Sequence, residues 1–127
     1  MQLQNLLWVG VGGFFGANAR YLVSYISDQH LPHSFSFGTL LVNLSGSFLL
    51  ALFLSYVVRR ADVPQTVTLL VGTGFFGAYT TFSTYANESI SLFNQGQWGT
   101  GIAYLVVTNV LCLIGVVAGL MLAHRIF

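Results

Sequence analysis

Gly72-Thr73-Gly74-Phe75-Phe76-Gly77-Ala78-Tyr79-Thr80-Thr81-Phe82-Ser83-Thr84-Tyr85 runs for fourteen residues without a charge. Three glycines followed directly by a cluster of hydroxyls make a poor uninterrupted helix. In hydrocarbon, an interrupted helix persists only where protein or water satisfies the freed backbone groups. Freed carbonyls suit a cation, and freed amides face an anion. The same residues have a plainer use in close helix packing through the glycines, with Ser and Thr bonded back to their own backbone. The immediate succession of Thr80, Thr81, Ser83 and Thr84 favours a break.

Outside this stretch, the 127-residue chain has the composition of a membrane protein. Hydrophobic residues make up 55% and charged residues 6%, where a soluble domain carries roughly 25% charged residues. So few charges cannot cover a water-facing surface. Disorder is excluded by the high hydrophobicity. Four basic residues, all Arg, and a net charge of +1 give no nucleic-acid footprint. The lone Cys112 excludes a disulfide framework and a Cys-based metal site.

The charges fall at Arg20, Asp28, Arg59, Arg60, Asp62, Glu88 and Arg125. They divide the chain into four stretches close to the about 20 residues a crossing helix needs. The prediction is an all-α membrane protein with one four-helix transmembrane domain, spans near 3–26, 38–58, 65–91 and 99–123, and the third helix broken. The connections fit: Asp28 to His33 with Pro32, Arg59 to Pro64, and Asn94 to Gly99 are polar turns. Trp98 is placed like an interface anchor. Ala17-Asn18-Ala19 resembles a signal cleavage site, but no basic segment precedes it, so the first stretch is read as a helix. With both termini inside, three Arg lie inside and one outside, a mild bias. Gly-Phe-Phe-Gly-Ala occurs at 13–17 and again at 74–78. The two helices would run in the same direction, and in so Gly- and Phe-rich a chain the recurrence reads as coincidence.

A protomer this small has little room for a pathway of its own, so a conduit would form between copies. Inserting both ways up and pairing antiparallel would supply the inverted symmetry common in membrane transport folds. Asn43 sits mid-span; such an amide serves as interhelical glue, or its NH2 as a neutral donor to an anion. Ser83 and Thr84 hydroxyls offer the same. Phe82 and Tyr85, three apart, share a helix face, and aromatic edges are electropositive. Arg20 either snorkels or pairs with a carbonyl. Glu88 is a vestibule carboxylate or a boundary charge. Gly12 and Gly16 form a small-residue face for close helix contact. No nucleophile with its base and no carboxylate pair suggests catalysis, so no enzyme is expected.

Taken together, Gly12-Gly13 to Arg20-Tyr21, Gly38-Thr39 to Asn43 and Gly46, Gly74-Phe75-Phe76-Gly77 to Thr80-Thr81-Phe82-Ser83-Thr84, and Tyr104 resemble the Fluc/CrcB family of fluoride channels along essentially the whole chain. The resemblance implies an antiparallel, dual-topology homodimer in the inner membrane, spanning the lipid bilayer several times, with two fluoride pathways. It implies a structural Na+ at the dimer interface, held by backbone carbonyls at Gly77 and Thr80. Asn43, Phe82, Ser83, Thr84, Tyr85 and Tyr104 would line or border the fluoride pathway, with Glu88 near a mouth and Arg20 supporting the fold or vestibule. Position 85 departs from the family pattern, with Tyr in place of Phe; the added hydroxyl donates to fluoride or bonds elsewhere. The expectation is that conduction survives while rate or anion preference changes. The Arg bias sits awkwardly with dual topology.

Two other readings compete. A small proton-coupled multidrug exporter needs a membrane-buried carboxylate in the first span, and the first 27 residues hold no Asp or Glu. A non-transporting membrane assembly subunit explains Gly12 and Gly16 but not the hydroxyl run.

Overall fold

Helices begin and end where the polar turns predict them. The computed structural model describes residues 2–60 and 62–127, and all regular structure among them is helical. Helix α1 covers Leu3–His30 and α2 covers Phe37–Arg59. A third helical run, α3, occupies 65–79. It opens with Gln65–Val67, continues as a π-helix over Thr68–Phe76 and closes with Gly77–Tyr79. Thr80 and Thr81 are extended, with ψ of 157° and 113°. Helix α4 then runs over Phe82–Asn94 and α5 over Trp98–Ile126.

Asn94 to Gln97 reverse the chain by a Schellman turn. Gly96 takes φ +74°, the left-handed conformation that costs an L side chain energy. Its N–H donates to Phe93 O at 3.0 Å, and Gln97 N–H donates to Leu92 O at 2.9 Å. These bonds satisfy two of the carbonyls left open at the end of α4.

Four spans were predicted; α2 and α5 are the two helices among the described residues that are both long and apolar enough to cross a membrane. The difference has a chemical cause. Helix α1, at 28 residues, is long enough but carries Arg20, Asp28, Asn5 and Asn18. The third stretch is divided between α3 and α4, and neither piece alone reaches crossing length.

The helices pack as two pairs, α1 with α3 and α2 with α5, and α1 also meets α2. Glycine sets the distance within each pair. A Cβ at Gly12 would overlap the Leu70 carbonyl, and one at Gly16 would overlap that of Phe75. A Cβ at Gly74 would lie 2.9 Å from Gly12 Cα. The two Gly-Phe-Phe-Gly-Ala runs therefore face each other across the α1–α3 seam. Gly115 and Gly119 bring α5 onto Leu44 and Phe48 of α2 in the same way. Without a hydrophobic driving force between helices in lipid, such close van der Waals contact carries the association.

The small core is Val42, Phe76 and Tyr79, packed with Ala19, Val23, Leu50, Phe53, Val71 and Phe75. Most other large apolar side chains on α1 and α5 point outward, as a chain surrounded by acyl chains or a second copy requires.

The seam yields a paired test on one helix. Gly12→Ala is expected to lower the thermal unfolding midpoint in detergent, since overpacking costs about 1–3 kcal/mol. Gly10→Ala, whose Cβ meets open space, is expected to hold or raise the midpoint, since Ala favours a helix interior over Gly by about 1 kcal/mol. Equal midpoints for the two variants would remove close approach as the constraint.

Candidate functional site

The interval between α3 and α4 exposes backbone that a continuous helix would pair internally. Asn43 of α2 meets it with both ends of its amide. Asn43 Nδ2 donates to Thr81 O at 3.0 Å, and Asn43 Oδ1 accepts from Thr81 N–H at 2.8 Å. Thr81 also caps α4: its Oγ1 accepts from Thr84 N–H at 3.2 Å. That is a standard N-cap, available because Thr81 is extended.

These bonds redirect two amides. Thr81 N–H, the partner of Gly77 O in a continuous helix, goes to Asn43. Thr84 N–H, the partner of Thr80 O, goes to the Thr81 side chain. The Gly77 and Thr80 carbonyls therefore lack their helical donors, and Gly77 is exposed on the protomer surface.

A cavity of about 260 Å³ opens beside this interval. Asn43, Gly46, Ser47 and Leu50 of α2 form one wall, and Thr80, Thr81, Phe82 and Tyr85 form the second. Thr108, Asn109 and Cys112 of α5 form the third. No charged residue lines it. Phe82 is 78% exposed and Tyr85 6%, with ring centroids 5.7 Å apart. The Thr108 hydroxyl is buried with no partner, so a donor remains open in the wall.

A second cavity, about 210 Å³, lies on the other side of the start of α4. It is lined by Ser24, Asp28, His33, Ser36, Thr39, Thr84 and Glu88, among others. Glu88 bridges helices here. Its Oε2 accepts from Tyr104 OH at 2.6 Å and its Oε1 from Thr39 Oγ1 at 3.0 Å. Tyr104 is fully buried; its ring lies 5.4 Å from that of Tyr85 and 5.0 Å from that of Phe35.

The sequence-predicted residues thus separate by place. Asn43, Thr80, Phe82 and Tyr85 share the first cavity, and Thr84 and Glu88 share the second. Tyr104 joins them through Glu88 and Tyr85. Ser83 is exposed on the first turn of α4, its hydroxyl 3.4 Å from Thr81 Oγ1. Arg20 is half-buried on α1 and lines neither cavity. Of the two uses open to the Tyr85 hydroxyl, bonding elsewhere is the one observed: it accepts from Asn109 Nδ2 at 2.5 Å.

Sequence reasoning missed Thr39, Thr108 and Asn109. The signal for the last two was present, because Thr108-Asn109 interrupts an apolar run just as Asn43 does. Among the described residues, no group of three or more His, Cys, Asp or Glu is placed to hold a metal.

The chain is thus all-helical among the described residues, with two apolar helices long enough to cross a membrane and an uncharged, hydroxyl-lined cavity beside the extended Thr80 and Thr81. The family described as CrcB-like protein, Camphor Resistance (CrcB), matches residues 7–120, and the chain belongs to it. The chain is 47% identical over 116 residues to the "Fluoride-specific ion channel FluC" of Koribacter versatilis (strain Ellin345), covering 91% of this chain and 92% of that one. It is 43% identical over 120 residues to the protein of that name from Legionella pneumophila (strain Lens), covering 94% and 90%. For the Sorangium cellulosum (strain So ce56) protein of the same name the identity is 36% over 124 residues, covering 98% of each chain.

The Asn43 bridge has a measurable consequence. Asn43→Ala leaves the Thr81 N–H and C=O without partners, which costs about 1–3 kcal/mol. Amide hydrogen exchange at Thr81 is expected to accelerate about tenfold, with exchange in the middle of α5 unchanged. Unchanged exchange at Thr81 would show that the bridge does not hold the interval.

Proposed function

We propose that the chain is a fluoride-selective channel that passively conducts fluoride out of the cytoplasm. The observation that carries this reading is the uncharged first cavity, where hydroxyls, amide groups and an exposed aromatic ring converge on a helix interruption. Fluoride is small and strongly hydrated, so a narrow path must replace its water with donors. Neutral hydroxyls and ring edges do so without binding so tightly that the ion cannot leave. The donors are the second hydrogen of the Asn43 amide, the Thr108 and Ser83 hydroxyls, the ring edges of Phe82 and Tyr85, and the Thr84 hydroxyl toward the second cavity. Tyr104 holds Glu88, and with both oxygens already hydrogen-bonded that carboxylate repels an approaching anion less. A negative-inside potential drives an anion outward with about 2.3 kcal/mol per charge per 100 mV. No energy source is needed. The names of the relatives support the ion, and the family supports a membrane protein rather than a catalyst.

The protein acts as an antiparallel, dual-topology homodimer that crosses the inner membrane several times as one four-span domain over residues 1–127, its third helix broken within the bilayer at Thr80-Thr81. The extended backbone there, the exposed Gly77 and the outward apolar faces support this arrangement. Two such interruptions meeting at the two-fold axis would offer one Na+ neutral oxygens, Gly77 O and Thr80 O from each copy. Those carbonyls fit a hard cation because their helical donors are engaged elsewhere. The ion would be structural. Arg20 supports the fold away from the path.

Efflux of fluoride from loaded liposomes, with valinomycin to relieve the voltage, is expected to be fast, with chloride efflux near the protein-free background. No fluoride efflux from folded, dimeric protein would favour the assembly-subunit reading instead. Replacing Na+ by N-methyl-D-glucamine is expected to lower the thermal unfolding midpoint of the dimer, since an ion at a hundred times its Kd contributes about 2.7 kcal/mol. A midpoint indifferent to Na+ would remove the ion from the interface.

A further inference from the structure

Tyr85 and Asn109 tie the first cavity to α5. The Tyr85 hydroxyl oxygen accepts from Asn109 Nδ2 at 2.5 Å, and the same NH2 group donates to Leu105 O, one turn earlier, at 2.7 Å. The hydroxyl's own hydrogen points to Leu105 O as well, at 3.4 Å. That separation is beyond the usual O–H···O range, so the amide is the firmer restraint. Asn109 is otherwise exposed, an unusual place for an amide on a helix this apolar.

The alternative orientation of the phenol explains what the amide does. A phenol is a better hydrogen-bond donor than an aliphatic hydroxyl, because the ring withdraws electrons from its oxygen. Turned toward the cavity, it would deepen the well for a small hard anion and slow its exit.

We propose that Asn109 is a positioning residue for permeation: it holds the Tyr85 hydroxyl against the α5 backbone, so that the pathway meets the ring edge and not the phenol proton. The inference rests on the fluoride-channel reading above.

The test is a double-mutant cycle in the liposome efflux assay. Asn109→Ala is expected to slow fluoride efflux about fivefold, a coupling ordinary for residues in contact. In the Tyr85→Phe background the same replacement is expected to change efflux by less than about twofold. Asn109→Ser, whose hydroxyl is too short to reach Tyr85, behaves like Asn109→Ala. Equal effects in both backgrounds, or none in either, overturn the inference. A second readout needs no ion flow: the tyrosine Cζ signal in 13C NMR, assigned by its loss in Tyr85→Phe, is expected to move in Asn109→Ala. Wild-type protein that conducts fluoride but shows an unmoved Cζ signal in Asn109→Ala overturns the inference alone. Wild-type protein that passes no fluoride overturns the channel reading and this inference with it.

Discussion

Asn43 bridges the interval between α3 and α4 with both atoms of one amide, donating to Thr81 O and accepting from Thr81 N–H. A helix interrupted in hydrocarbon strands polar groups at several kcal/mol each. A neutral amide answers a backbone N–H and C=O together with separate atoms, its oxygen accepting and its NH2 donating. Charged side chains answer only one of them and bring a desolvation cost of their own. With Thr81 held, its hydroxyl is free to cap α4, and the cap fixes where that helix starts. The start of α4 then decides that Phe82 faces outward and Tyr85 inward. The same exchange of partners leaves the Gly77 and Thr80 carbonyls without helical donors.

The interval keeps its place because α3 is fixed from behind. Its π-helical stretch lies against α1 at a distance only Gly12, Gly16 and Gly74 permit. π-helical segments are locally costly and collect at functional sites, and here the backbone-to-backbone contact compensates. On the other side, α2 carries Asn43 and is itself seated on α5 through Gly115 and Gly119. Both parties to the Asn43 bridge are therefore anchored to long helices, and the polar wall of α5 is carried along in register.

Much of this was legible in the sequence because lipid simplifies the rules. Five of the seven charges, Asp28, Arg59, Arg60, Asp62 and Arg125, fall at or near helix ends, and the turns at Pro32, Pro64 and Gly96 agree with them, while Arg20 and Glu88 lie inside α1 and α4. The hydroxyl run pointed to an interruption and Asn43 to an unusual mid-span amide. What stayed hidden was pairing in space. Nothing in the spacing of Asn43 and Thr81, 38 residues apart, says that both amide atoms are committed to one backbone unit. Nor does the sequence say that Thr39 and Tyr104 sit on the two oxygens of Glu88. The π-helix left no periodic signature of its own, because glycine spacing in 72–77 serves tight packing and irregular backbone equally well. Thr108 and Asn109 were passed over because the surrounding run is so apolar that it reads as a span and nothing more.

Neutrality is what links these parts. A lysine or arginine in the first cavity would hold a small anion tightly, while a carboxylate would repel it. The lining avoids both by using groups whose dipoles are already partly engaged. Asn43 keeps one amide hydrogen after serving Thr81, the Tyr85 hydroxyl is turned to α5, and toward the second cavity Thr84 Oγ1 accepts from Thr81 and keeps its own proton. On the proposed reading the Asn43 and Thr84 donors are held by protein partners before any ion arrives, whereas the Thr108 hydroxyl is left open to it. An ion would then meet a largely oriented site, and a weak site already in place releases its ion more readily than a strong one that must collapse around it. The fold supplies the helix interruption, and the hydrogen bonds around the interruption keep the donors neutral and directed.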